Sequence, residues 1–542
     1  MNYSIKRQIN WAWNFAKGFH AQIFVYFLLE LSSIVFSLLF VYYSKKSVDI
    51  ALNVIPGDLR LHIFLVVGSV FAGIVAKLIA TYINQKTQLK FTLRIQNQIV
   101  AKQLNAVWQV LKQWFTGDVM VRITNDCNEV VQMISHAGVN FIVTTLKLIA
   151  TFIFLWVIDP MLAIMIIAIS PLFLFSKIYF KRLRQLNYNV KQSESEVGNI
   201  MQENLRNRGL IQSLSIFAAR HFIMESAQQN SLGLKLKQLN FNLLTQTMMK
   251  VAINVGYLTA FIWGIYRLHQ NEITFGTMTA FLQLVGRIQS PILSLITFFP
   301  AFIRFRTSAD RLMEIDLIEQ VETSNNHFAK EINSIRFENV TFAYEHQDVI
   351  HKLNVDMKAG EPVAIVGASG KGKTTLIRLL LNLIKPVKGR IILEDKTGDV
   401  KDLNSSHKLN FSYVPQGNTL FSGSIYDNLR IINKSITEEQ MINALNHACA
   451  DFVFQLPEGL HTKIGEQSYG LSEGQAQRIA IARAILRDCD IWLFDEATSA
   501  LDEETSNRLL DNLMKYAKEK IMIFVTHDEK VALRCKKVIQ MN

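Results

Sequence analysis

Gly367-Ala-Ser-Gly-Lys-Gly-Lys-Thr374 fits, at every fixed position, the pattern G-x-x-x-x-G-K-[ST] of a loop that cradles phosphate. The apolar run Val363–Val366 leads in as a buried strand would, and Thr375–Leu381 leads out with helical character. Glycines let such a loop curl so that backbone N–H groups point inward, and the following helix adds the positive end of its dipole. Lys373 is expected to reach the β- and γ-phosphates, and the Thr374 hydroxyl to ligate Mg²⁺. Gly367, Ser369, Gly370, Lys371, Gly372, Lys373, Thr374 and Thr375 are the expected contacts of this loop with ATP.

Outward from the loop, the rest of the C-terminal half supplies further parts of one site. Ile335–Tyr344 alternates like a strand and ends in Tyr344, an aromatic that would stack on adenine. Tyr413-Val-Pro-Gln416 follows the apolar run Leu409–Val414, which places Gln416 to reach Mg²⁺ or the attacking water. Leu471-Ser-Glu-Gly-Gln475 precedes a helical run, Ala476–Leu486, and Ser472 with the N–H groups of that helix start would make a second anion site. One molecule does not easily bring two such helix starts to one γ-phosphate, whereas two copies packed head to tail do. Ile491–Phe494 reads as a buried strand ending in Asp495-Glu496: Asp495 would hold Mg²⁺ and Glu496 would polarise water as general base. Ser499-Ala-Leu-Asp502 follows, with Asp502 facing a partner copy, and His527 stands just past the strand run Ile521–Val525, where it would touch the γ-phosphate.

The N-terminal half is a different material. The 542-residue chain is 50% hydrophobic and only 19% charged, below the roughly 25% usual for soluble proteins. Residues 1–305 hold most of that apolar excess, in six stretches long enough to cross a bilayer: Ala21–Tyr43, Ile63–Ile83, Val139–Ile158, Met161–Phe180 (with Pro171), Leu243–Tyr266 and Phe275–Ile303. Ile5–His20 mixes Lys6, Arg7 and Lys17 with Trp11, Trp13 and Phe15, which suits an interfacial helix with its aromatics toward lipid. Ser44–Leu61, Asp159-Pro160 and Arg267–Thr274 read as short outer links. Asn84–Gly138 and Lys181–Phe241 are long polar excursions, the first with a turn expected at Gly117. A helix of ~25 residues in such an excursion would run roughly 38 Å beyond the bilayer.

The net charge of +12 invites a nucleic-acid reading, but the basic residues flank apolar spans. Lys177–Asn242 carries ten Lys/Arg against four Asp/Glu, which places it in the cytoplasm. Cys127, Cys449, Cys489 and Cys535 form no C-x-x-C pair and are expected as free thiols. No secretory signal is read at the N-terminus. Glu30, Lys77, Lys147, Gln283, Arg287 and Gln289 lie inside apolar spans, where an unpaired charge is costly. They are expected to face a cavity or to pair with one another, and their mixed signs suggest an amphipathic cargo.

Together these motifs resemble the ATP-binding cassette family: Tyr344 its A-loop, Gly367–Thr374 Walker A, Gln416 the Q-loop, Leu471–Gln475 the signature, Ile491–Glu496 Walker B, Ser499–Asp502 the D-loop and His527 the switch histidine. Trp114–Asp126 is similar to the family's first coupling segment, and Ser308–Arg311 to its exit from the sixth helix. The resemblance implies an all-α six-helix transmembrane domain fused to an α/β P-loop ATPase. Its expected parts are an interfacial helix at 1–20, the helical domain at 21–323, a linker at 324–329 and the ATPase at 330–542. It further implies an ATP- and Mg²⁺-dependent half-transporter. Glu496, His527 and Gln416 would be catalytic. Tyr344, the phosphate loop, Gln416, Ser472, Gly474, Gln475, Asp495 and Asp502 would bind nucleotide, with Thr374, Gln416 and Asp495 on the metal.

The implied partners are a second copy of the chain, an amphipathic cargo such as a peptide, lipid or hydrophobic drug, and the bilayer, with no nucleic acid. Coupling is expected near Gly117 and Leu210–Leu214. The implied place is a cell membrane, with both termini and the ATPase in the cytoplasm. A heterodimer half and an ATP-gated channel or regulator remain as alternatives, while six spans argue against a soluble DNA-repair ATPase. Lys371 and Glu473 depart from the family pattern, and Glu473 is expected to point away from phosphate. The family usually continues beyond the last apolar run before Asn542, so a thinly covered sheet edge is expected there.

Overall fold

An apolar run stays helical until something stops it, and the first part of the chain is built of such runs. A computed structural model of the chain describes residues 3–111, 114, 116–169, 176–320, 331–344, 347–368, 370–417, 419–465 and 470–541. The expected linker at 324–329, Pro171 and Ser369 lie outside them, as does the side chain of Gln289. The chain divides into two units, Met1–Ala101 with Thr116–Leu317, and Lys102–Phe115 with Ile318–Asn542.

In the first unit, four helices among the described residues are long and apolar enough to cross a membrane: His20–Ala51, Leu59–Leu104, Asp118–Ile158 and Phe217–His269. They contain the first, second, third and fifth expected spans. The fourth span is described as Pro160–Ile169 and the start of Ser176–Arg206, and the sixth lies in the continuous helix Phe275–Asp316. Phe64, Phe71, Leu78, Val157 and Ile262 stand exposed on these helices, as a hydrocarbon solvent allows and water does not. Val41, Leu155, Leu162, Phe281 and Leu284 close a buried core between the helices.

Three sequence expectations need correction here. The polar link Ser44–Leu61 is helical as far as Ala51, because Lys45, Lys46 and Asp49 are compatible with helix and no breaker comes before Asn53. Gly117 does not mark the turn: it lies in the helix Thr116–Val121, and the chain reverses before it. Trp11 does not face lipid, since its indole N–H donates to the half-buried Asp316 carboxylate at 2.9 Å, the kind of partner such a group needs. Beside it on the helix Ile5–Phe15, buried Gln8 donates to Asp310 at 2.6 Å.

Among the described residues, the second unit holds eleven strands. β1 (Ile332–Tyr344), β2 (Gln347–Lys358), β4 (Lys388–Asp395) and β5 (Val400–Asp402) form an antiparallel sheet in the order β2-β1-β4-β5. β3 (Val363–Val366), β6 (Phe411–Val414), β9 (Ile491–Asp495), β10 (Ile521–Val525) and β11 (Lys537–Gln540) form a parallel sheet, β11-β3-β10-β9-β6. β7 (Gly423–Ser424) pairs with β8 (Lys463–Ile464). The central strands are buried on both faces and read as continuous apolar runs, as parallel strands do. The last apolar run is itself the edge strand beside β3, with Val538 exposed. All four cysteines are unpaired.

Candidate active site and membrane cavity

Four neighbouring parallel strands end on one edge of the sheet, and that edge collects the chemistry. The phosphate loop follows β3, Gln416 follows β6, Asp495 ends β9, and His527 follows β10. Open α/β sheets bind ligands at this carboxyl edge. Gly370 (φ 84°) and Gly372 (φ 91°) take left-handed conformations that side chains resist. A Cβ on Gly367 would lie 2.8 Å from the Met541 carbonyl oxygen. The loop runs into the helix Lys373–Leu380, and the Lys373 ammonium folds back to donate to the Gly367 carbonyl at 2.5 Å. Thr374 is exposed at the helix start, Thr375 is buried, and Lys371 is exposed.

The structure brings the three expected catalytic side chains together. The Glu496 carboxylate accepts from the Gln416 amide at 2.5 Å on one oxygen and meets His527 Nδ1 at 3.2 Å on the other. Glu496 has a strained backbone (φ 50°). It is held from both sides: its N–H donates to the Val525 carbonyl at 2.9 Å, and its carbonyl accepts from the Gln477 amide at 2.9 Å. The Asp495 pKa is pushed up to about 6, first by burial and then by the neighbouring Glu496 charge. Tyr413 donates to Asp495 at 3.4 Å, and burial raises its phenol. Thr374, Gln416 and Asp495 supply hard oxygen donors. No cluster of three or more His, Cys, Asp or Glu exists among the described residues to cage a metal. Such a sparse donor set suits Mg²⁺, which keeps waters and phosphate oxygens in its shell.

Tyr344 stands at the end of β1, edge-on to Phe342 with ring centroids 4.8 Å apart. The remaining expected contacts belong to another cluster. Ser472 caps the helix Glu473–Arg487, accepting from the Gln475 N–H at 3.2 Å, while the Gln475 side chain accepts from the Ser472 N–H at 2.9 Å. Gly474 packs so closely on the following segment that a Cβ would lie 2.5 Å from the Ala500 carbonyl oxygen. Asp502 caps the helix Glu503–Met514 by accepting from the Thr505 N–H at 2.9 Å, which holds its carboxyl below the usual range. The Glu473 carboxylate turns toward Gly417. No hydrogen bond among the described residues joins this cluster to the phosphate loop.

Sequence reasoning missed Gln477, Arg378 and Trp108, and it quoted Tyr413 without a role. Tyr413 was findable, since it sits three residues before Gln416 on a strand beside β9. Gln477 and Trp108 carry no local signal.

In the first unit, Lys77 donates to both oxygens of the buried Glu30 carboxylate, at 2.7 and 2.9 Å. Lys77 lines two neighbouring cavities of about 430 and 240 Å³, with Arg287 at the first and Glu30 and Lys147 at the second. No carboxylate among the described residues lies within ion-pair distance of Lys147 or Arg287, though Arg287 sits 5.5 Å from the Phe40 ring. Half-buried His136 joins Tyr26 (3.1 Å) and Asn84 (3.0 Å). Gln283 donates to Ser44 at 3.2 Å.

The expected coupling segment is pinned within the same unit. Arg122 donates to Asp118 and Glu314 at 2.8 Å each, Arg311 donates to Asp118 at 2.6 Å, and Ser308 donates to Asp126 at 2.9 Å. The second such segment, the short helix Arg208–Ser213, leaves Leu210 and Leu214 exposed.

A phosphate loop and a paired Asp-Glu at the sheet edge, carried on one chain with membrane-crossing helices, define an ATP-hydrolysing membrane transporter. The family descriptions "ABC transporter transmembrane region" and "ABC transporter" match residues 23–292 and 350–499. The chain belongs to the ATP-binding cassette transporters, with the arrangement of an exporter half-transporter. It is 26% identical to the ATP-dependent lipid A-core flippase of Syntrophus aciditrophicus (strain SB), over 83% of this chain and 75% of that one. It is 29% identical to the ATP-dependent permease MDL1 of Candida albicans, over 76% of this chain and 62% of that one. A bacterial Atm1-family ABC exporter with ATP bound shares the fold, with TM-score 0.80, 22% identity and coverage of 96% and 93%.

Proposed function

We propose that two copies of this chain form an ATP-driven exporter or flippase for an amphipathic molecule that carries a negative group. The observation behind the cargo is the cavity charge: among the described lining residues stand three cations, Lys77, Lys147 and Arg287, and one carboxylate, Glu30, which Lys77 already engages. Excess cations in an apolar setting favour an anion that neutralises them. The flippases among its relatives act, by name, on a lipid.

The proposed division is an interfacial helix at 1–20, a helical domain at 21–323, a linker at 324–329 and an ATPase at 330–542. The ATPase and both termini lie in the cytoplasm, as does the basic excursion Lys177–Asn242. In the cycle, Tyr344 stacks on adenine and the loop Gly367–Thr375 with Lys373 holds the phosphates. Mg²⁺, held by Thr374, Asp495 and Gln416, would neutralise phosphate charge. Glu496 takes the proton of the attacking water while Gln416 and His527 fix its carboxylate. Ser472, Gly474, Gln475 and Asp502 of one copy complete the site of the other. Hydrolysis separates them, and the segments at 116–126 and 208–214 carry the change to the membrane helices.

The test is ATPase activity in lipid nanodiscs, wild type beside Glu496→Gln and Lys147→Glu, with anionic, zwitterionic and cationic amphipaths added. Stimulation by the anionic class that Lys147→Glu removes and Glu496→Gln abolishes supports the reading. Equal stimulation by all classes refutes the anionic cargo. ATP-dependent conductance without hydrolysis would establish a channel instead, and an inactive wild type would point to a missing partner subunit.

A further inference from the structure

The helix after the phosphate loop carries a side chain that phosphate chemistry does not ask for. Arg378, in the second turn of Lys373–Leu380, is half-buried. Its guanidinium carbon lies 4.5 Å from the centroid of the Trp108 ring. One of its N–H groups donates to the Tyr344 hydroxyl at 3.0 Å. Trp108 opens the short helix Trp108–Leu111, which interrupts the first polar excursion of the membrane half yet belongs to the ATPase unit. The backbone just before it is fixed there: Val107 N–H donates to the Glu319 carbonyl at 3.0 Å, and Ala106 bridges Gln320.

The physical consequence concerns the Tyr344 ring. A tyrosine at a strand end, with its hydroxyl free, turns about its side-chain bonds, and a base that stacks on it must first arrest that motion. Here Phe342 meets the ring edge-on and Arg378 holds its hydroxyl. Arg378 is held in turn, since an indole face is the strongest aromatic partner for a cation and a guanidinium stays charged at any working pH. A stacking surface fixed before the ligand arrives binds more tightly than one that must be ordered.

We propose that Trp108 and Arg378 are positioning residues for the base of bound ATP. Through the Tyr344 hydroxyl they set the stacking surface, so that residues 106–111 complete the nucleotide site of their own chain. This rests on the reading of Tyr344 as the aromatic that stacks on adenine.

The experiment uses the full chain in nanodiscs and measures kcat and KM for ATP and for CTP, whose single-ring base stacks less well. The variants are Tyr344→Ala, Trp108→Ala, Trp108→Phe, Arg378→Gln and Arg378→Lys. Loss of a base stack worth about 1 kcal/mol or more raises KM at least about fivefold, so Tyr344→Ala is expected to raise KM for ATP by about five- to tenfold and to narrow the preference over CTP. Trp108→Ala and Arg378→Gln are expected to raise KM for ATP by about two- to fivefold, to narrow the same preference and to lower kcat by a smaller factor. Trp108→Phe recovers most of the effect, and Arg378→Lys falls between.

If Tyr344→Ala shifts KM while Trp108→Ala and Arg378→Gln keep wild-type KM and base preference, the positioning role is refuted and base stacking stands. If Trp108→Ala lowers kcat for both nucleotides alike with the preference intact, Trp108 is only a packing contact and the proposal also fails. If Tyr344→Ala itself leaves KM unchanged, the reading beneath the proposal falls with it. Should Trp108→Ala fold poorly, Arg378→Gln carries the same comparison.

Discussion

Glu496→Gln separates chemistry from structure at this site. Both Glu496 oxygens are engaged, one accepting from the Gln416 amide at 2.5 Å and the other facing His527 Nδ1 at 3.2 Å. Glutamine has the same shape. Its amide oxygen accepts from Gln416, and its NH₂ donates to Nδ1 of a neutral His527 that carries its proton on Nε2. The variant therefore keeps its partners, its backbone and its ATP affinity, and loses only the basic oxygen. A positioned general base contributes about 10²- to 10⁴-fold, or roughly 3–5 kcal/mol of barrier. The expected result is a fall in kcat within that range, KM for ATP within about twofold of wild type, and radiolabelled ATP retained on the protein after rapid desalting. Glu496→Asp provides the complement. It stays basic but withdraws the carboxylate by about 1.5 Å, one C–C bond, from both partners, and is expected to lose a comparable share of the rate. Turnover of Glu496→Gln within threefold of wild type would remove Glu496 from its role.

Three further expectations follow from particular contacts. Gly474→Ala sets a Cβ 2.5 Å from the Ala500 carbonyl oxygen, so the helix start must shift at a cost of about 1–3 kcal/mol. A melting temperature and ATPase rate equal to wild type would show the contact to be soft. Arg122→Ala strips hydrogen bonds at 2.8 Å from Asp118, Glu314 and the Arg311 carbonyl, and with both carboxylates partly solvated it is expected to cost about 1–3 kcal/mol and to weaken cargo-stimulated ATPase more than basal. Equal losses in the two rates would refute a coupling role. The Asp495 pKa of about 6 is raised above the ordinary carboxylate value, so the native protein holds the extra proton between those two values. Stability without nucleotide therefore falls as pH rises through that window, and KM for Mg²⁺–ATP rises as pH drops below 6. A flat KM from pH 7.5 to 5 would show that Asp495 titrates elsewhere.

The cluster at the sheet edge was legible because each of its parts is local: a short loop or an acid pair after a buried strand, in chain order. The parallel sheet then does what such sheets do, setting the ends of β3, β10, β9 and β6 side by side. The first, second, third and fifth spans were legible from apolar length alone, since each lies in a helix long and apolar enough to cross a membrane. The reversal of the chain before Thr116 was not legible. Residues 105–115 contain no glycine and no proline, whereas Thr116-Gly117-Asp118 carries turn residues and drew the expectation to itself. What bends the chain is tertiary: the bridge of Ala106 to Gln320 and the seat of Trp108 on Arg378, partners more than two hundred residues away in sequence. Trp11 failed for the same reason, because the carboxylate that claims its indole lies at Asp316.

The proposed second half of the nucleotide site poses a problem of donors. The Ser472 oxygen accepts from Gln475 N–H within its own cap, which uses a lone pair and leaves the hydroxyl hydrogen to be donated. Gly474 offers backbone at close range because it has no Cβ, with Ala500 and Leu501 packed against it. In one chain these donors find no acceptor among the described phosphate-loop residues. A helix start equipped to donate is the arrangement that an anion completes. The anion would be the γ-phosphate held by Lys373 of another copy. This predicts that ATPase activity falls with dilution below the dimer's dissociation constant. It also predicts that mixing Ser472→Ala with Lys373→Ala chains restores one working site per mixed pair. No recovery on mixing would sink the two-copy site.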